Sequence, residues 1–72
     1  MKTKQMIALL TDAGYSLKLI STQSKVSYMK LFRYVRRDGA LTPDEKAKIW
    51  RFGIAQPIIS DALESDIQES GE

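Results

Sequence analysis

Twenty-two consecutive residues, 16–37, carry no acidic side chain, while apolar residues recur among them at helical spacing. The stretch is SLKLISTQSKVSYMKLFRYVRR. Lys18, Lys25, Lys30, Arg33, Arg36 and Arg37 give it a formal charge of +6. It reads as two short helices around a tight turn. Cations on one side of an amphipathic pair, with nothing to neutralise them locally, suit a surface that lies against a polyanion.

The rest of the chain has the same helical grammar. Thr3 is a plausible N-cap for a helix over residues 4–13, where Met6, Ile7, Leu9, Leu10 and Ala13 form an apolar stripe. Gly14 follows as the residue able to take positive φ. Ser16 caps a second helix running to about Gln23, with Leu17, Ile20 and Ser21 inward. Ser24, Lys25 and Val26 form the turn. Ser27 caps a third helix to about Arg36, with Leu31, Tyr34 and Val35 inward, and Asp38-Gly39 ends it. Thr42-Pro43-Asp44-Glu45 is the clearest local signal: N-cap, proline at N1, and Glu45 at N3 to complete a capping box. That helix runs to about Phe52 and stops at Gly53. Pro57 opens a last helix through Ile58, Ile59, Ala62 and Leu63. No strand-period run and no internal repeat interrupts this, so the expected fold is all-α, a compact domain of four to five helices.

At 72 residues the chain makes one small domain, whose core is marginal enough that a partner subunit or a bound ligand is expected to contribute stability. It has neither Cys nor His, which removes disulfides, thiolate metal sites, the commonest general base and the commonest metal ligand. No enzyme activity and no cofactor are expected. No apolar run is long enough for a signal peptide or a membrane span, so no membrane partner is expected and the expected location is the cytoplasm, in association with the nucleoid. The net charge of +2 hides a gradient. Asp61, Glu64, Asp66, Glu69 and Glu72 put −5 on residues 60–72, which leaves +7 on residues 1–59. Two regions follow: a basic body, 1–59, and an acidic C-terminal tail, 60–72, expected to fray. Glu64, Asp66 and Glu69 lack the spacing of a calcium loop, so no metal site is expected.

Residues 14–35 resemble the helix-turn-helix of the lambda repressor and Cro superfamily. The elements that carry the resemblance are Gly14-Tyr15-Ser16, the apolar-small pair Ile20-Ser21, Lys25-Val26-Ser27, and then Leu31 and Tyr34. With flanking helices the likeness covers about residues 4–55. It implies that Ser21 lets two helices cross closely, that Val26 fills the space under the turn, and that Ser27, Tyr28, Met29 and Arg33 face bases. Arg33 carries most of that expectation, since a guanidinium bonds guanine O6 and N7 in a bidentate way. Lys18, Lys25, Lys30, Arg36 and Arg37 are then phosphate contacts, which set register and affinity. Three positions depart from the family pattern. Lys25 stands where the turn usually has Gly, Leu17 where helix 2 often opens with a phosphate-binding Gln, and Phe32 where a small polar residue is usual.

The resemblance implies a small sequence-specific regulator of transcription, of phage or mobile-element type, that binds double-stranded DNA. One such unit reads a half-site, so a homodimer is expected, with Trp50, Phe52, Ile54, Ile58 and Ile59 as its surface. No small-molecule ligand is evident. Two rival readings use the same residues. One is a protein-interaction module, an antirepressor or accessory factor, docking through Tyr28, Met29 and Phe32. The other is an accessory protein of excision or recombination that mainly bends DNA.

Overall fold

The computed structural model describes the backbone of residues 1–70 and the side chains of residues 1–65. It contains five helices and, among the described residues, no strand: α1 (Thr3–Asp12), α2 (Leu17–Ser24), α3 (Tyr28–Arg36), α4 (Pro43–Gly53) and α5 (Pro57–Ser70). The expectation of an all-α domain of four to five helices holds.

The local causes are those read from the sequence, with three corrections. At α4 the capping box forms in full. Thr42 Oγ1 accepts from the Glu45 N–H at 3.1 Å, and Glu45 Oε1 accepts from the Thr42 N–H at 3.0 Å. At α2 the Ser16 hydroxyl accepts from the Leu19 N–H at 3.0 Å. The first correction is at α1. Its N-cap is Lys2, whose N–H donates to Gln5 Oε1 at 3.0 Å. Thr3 is already helical, and its Oγ1 accepts from Trp50 Nε1 at 3.0 Å, so it clamps α1 to α4 instead. The second is at α3: Ser27 occupies the N-cap position, but its side chain makes no capping hydrogen bond. The third is at the ends. Ser24 belongs to α2 rather than the turn, and α5 continues to Ser70. The acids expected in a frayed tail at 66–72 have side chains outside the described residues.

The core is one cluster drawn from every helix and two loops. Met6, Ile7, Leu10, Ile20, Leu31, Ile49 and Ile59 are fully buried, joined by Val26 and Leu41. Each helix turns an apolar stripe inward and its charges outward. α2 packs on α3 and α4, while α1 packs on α4 and α5. Close approach at the α1–α4 crossing depends on Gly53, where a Cβ would stand 2.3 Å from Met6 Sδ. Tyr15 extends the seam to the chain's far end. Its hydroxyl donates to Gln56 Oε1 at 2.9 Å, and its ring meets Phe52 edge-on at 6.2 Å.

A candidate nucleic-acid interface on the third helix

Two helices and a three-residue turn, Lys25 to Ser27, build the site. The turn is held from beneath. The buried Ser21 hydroxyl donates to the Val26 carbonyl at 2.6 Å, and the Lys25 and Val26 N–H groups both donate to the Ser21 carbonyl. Ser21 is thus small enough to admit the neighbouring helix and polar enough to pin the turn. Val26, 4% exposed, plugs the space below. Lys25 takes a left-handed conformation, φ 62° and ψ 37°, at the position where a glycine would be unstrained.

Leu31 is fully buried and fixes the rotation of α3 about its axis. At 3.6 residues per turn, Met29, Arg33 and Arg36 then share the opposite, outward face. Met29 is 52% exposed and both arginines are exposed. Tyr28 and Phe32 flank that face on one side, their rings tilted together at 6.1 Å. Lys30 lies on the other side, where its Nζ meets Glu45 Oε2 at 3.2 Å. Arg37 caps the end of α3, its N–H donating to the Arg33 carbonyl. Lys18 is exposed on α2.

Among the described residues Arg33, Arg36, Arg37, Lys18 and Lys25 form no ion pair. Lys30 does, and Glu45 is the residue that sequence reasoning passed over. Its carboxylate closes the α4 cap with one oxygen and holds Lys30 with the other. The backbone hydrogen bond from Thr42, followed by the Lys30 ammonium, lowers its pKa below the ordinary glutamate value. The signal was present in the sequence as the N3 acid of the capping box, but its second partner lies fifteen residues upstream and needed the fold to be seen.

The expected assembly surface is not continuous. Ile59 is fully buried in the core and cannot meet a partner, which corrects that assignment; its side chain anchors α5 to the body. Trp50 and Phe52 are half-buried and engaged with Thr3 and Tyr15. Ile58 is half-buried against the core, and Ile54, 51% exposed, is the one member that projects.

Among the described residues no group of carboxylates could hold a metal ion, and no helix is long and apolar enough to cross a membrane. No family model matches the chain, and neither a curated protein nor a solved structure matches it at a significant level.

Proposed function

We propose that the chain is a small sequence-specific binder of double-stranded DNA, a helix-turn-helix regulator of transcription of phage or mobile-element type, with α3 as the helix that enters the major groove. The observation that carries this reading is the outward face of α3. Arg33 and Arg36 stand exposed there, without ion-pair partners among the described residues, beside Met29, on a helix whose rotation is set by buried Leu31. A solvated helix face normally mixes signs, whereas this one, with α2 and the turn before it, holds no acid. Arg33 reads a base edge, and Arg36, Arg37, Lys18 and Lys25 neutralise phosphates on either side. Lys30 contributes less than its charge suggests, because Glu45 already holds it.

Selection of duplexes from a random library by the purified protein, followed by fluorescence anisotropy on the winning sequence, tests the reading. Arg33→Ala should cost about 1–3 kcal/mol on the selected site and relax preference at one base pair. Failure to enrich any sequence, with no dependence of duplex affinity on salt, would refute it.

A second reading rests on Tyr28, Met29 and Phe32. Tyr28 is 42% exposed, and its ring pairs with Phe32 beside Met29 on the same face as the arginines. An exposed tyrosine backed by a half-buried phenylalanine is a common kind of anchor for a protein partner. In that case Tyr28→Ala would abolish partner capture, and duplex affinity would fall no further than that of an unrelated basic protein of equal charge.

A further inference from the structure

A groove of about 320 Å³ lies between the C-terminal end of α2 and the outer side of α4, lined by Gln23, Ser24, Lys25, Lys48, Arg51 and Phe52. Its volume is at the lower end of ligand-sized clefts. Three of the six lining residues are cations and none is acidic. Phe52 supplies an aromatic wall and Gln23 an amide. Among the described residues Lys25 and Arg51 form no ion pair, and Lys48 has only the exposed Asp44, one turn away at 3.5 Å. The carbonyl end of α2 carries about half a negative charge, which is far less than three cations require. The groove is therefore short of negative charge.

The same chain has the complementary deficit. Asp61 and Glu64 stand on α5 three residues apart, so they share a face, and both are exposed. Neither forms an ion pair among the described residues. Residues 60–72 hold five acids and no base. α5 is fastened by Ile59 alongside α1, whereas the groove belongs to α2 and α4, so the two features are built on different parts of the body. We propose that the groove between α2 and α4 receives the acidic face of α5 from a second copy of the chain. Carboxylates from Asp61 and Glu64 pair with Arg51 and Lys48. The contact joins unlike surfaces, so it either closes reciprocally between two copies or continues from one copy to the next. It needs no DNA and stands whether or not α3 binds any.

Sedimentation of the full chain without DNA tests this at about 50 mM and about 500 mM salt, which differ about threefold in screening length. Wild type should self-associate at low salt, with its dissociation constant rising at least about tenfold at high salt. Lys48→Glu/Arg51→Glu and Asp61→Lys/Glu64→Lys should each sediment as monomers, with circular dichroism unchanged because all four positions are exposed. Mixing the two variants should restore association, since the acidic helix of the first now finds the basic groove of the second. A monomeric wild type at high micromolar concentration, or a mixture that stays monomeric, would overturn the proposal. So would a Lys48→Glu/Arg51→Glu variant that sediments like wild type but loses affinity for random duplex, because the groove would then be a phosphate site.

Discussion

Gly39 is the position where the smallest substitution should do the most damage to the base of α3. A Cβ there would stand 2.9 Å from Arg33 Cβ, 3.0 Å from the Arg33 carbonyl carbon and 3.2 Å from its oxygen. These are atoms of the helix itself, so no rotamer change relieves the collision and the loop must move. Moving it strains or breaks the hydrogen bond from the Gly39 N–H to the Arg33 carbonyl, 2.8 Å long. Overpacking costs about 1–3 kcal/mol and loss of the bond about 0.5–1.5 kcal/mol. The stiffer unfolded chain of an alanine returns about 0.4–1 kcal/mol. Gly39→Ala should therefore destabilise by about 1–3 kcal/mol and lower the melting temperature by roughly 4–8 °C per kcal/mol. Urea titration followed by circular dichroism measures it, at low temperature because a domain this small rarely holds more than about 3–5 kcal/mol. Gly14 is the control. Nothing lies within 4 Å of a Cβ there, but its φ is +102°, so its cost is conformational. Asn, which tolerates positive φ better than Ala, should recover part of the loss at Gly14 and none at Gly39. A Gly39→Ala protein within about 0.5 kcal/mol of wild type would refute the steric argument, as would a Gly39→Asn protein more stable than Gly39→Ala.

Three further outcomes follow from the same geometry. Thr42→Ala removes the hydroxyl that accepts from the Glu45 N–H, and should cost about 1 kcal/mol in urea titration. Glu45 makes stability fall in acid. Its folded-state pKa is lowered, so its contribution is present above the ordinary glutamate range and is lost as pH falls below that range through the lowered folded-state value; Glu45→Gln should flatten that acid limb in urea midpoints taken across the range. Lys25→Gly relieves a left-handed residue worth about 1–2 kcal/mol of strain but loosens the unfolded chain, for a net gain of about 0.5–1 kcal/mol, seen as a higher thermal midpoint.

Signals within one turn of helix were legible in the sequence. The Thr42–Glu45 box, the Ser16 cap and the inward placement of Met6, Ile20 and Leu31 all depend on neighbours a few residues away, and all appear as read. What failed depended on distant partners. Thr3 looked like a cap because of its type and place, yet Trp50 claims its oxygen from forty-seven residues away. Ile54, Ile58 and Ile59 looked alike in an apolar stretch, but the phase of α5 sends Ile59 into the core, while Ile54 sits in the turn after α4 and projects. Lys48 and Arg51 carried no signal, because two cations on an exposed helix are ordinary until α2 is seen to close a groove beside them.

The Lys30–Glu45 pair bears on how the charge of residues 16–37 should be counted. Six cations in the sequence suggest six places for a polyanion. Lys30, however, can reach a phosphate only by leaving a carboxylate that is 16% exposed and whose other oxygen holds the α4 cap together. An exposed pair would be surrendered at little cost. This one is tied into the start of a helix, so moving Lys30 leaves Glu45 facing the approaching phosphates with its charge uncompensated. The productive contacts are then the unpaired cations, Lys18, Lys25, Arg36 and Arg37, with Arg33 reserved for a base edge. Charge counted from sequence overstates the electrostatic part of binding wherever the fold has already matched a cation with an acid. Here the fold makes that match at the side of α3 away from Tyr28 and Phe32, so the polyanion is drawn toward the arginine and aromatic side of the helix.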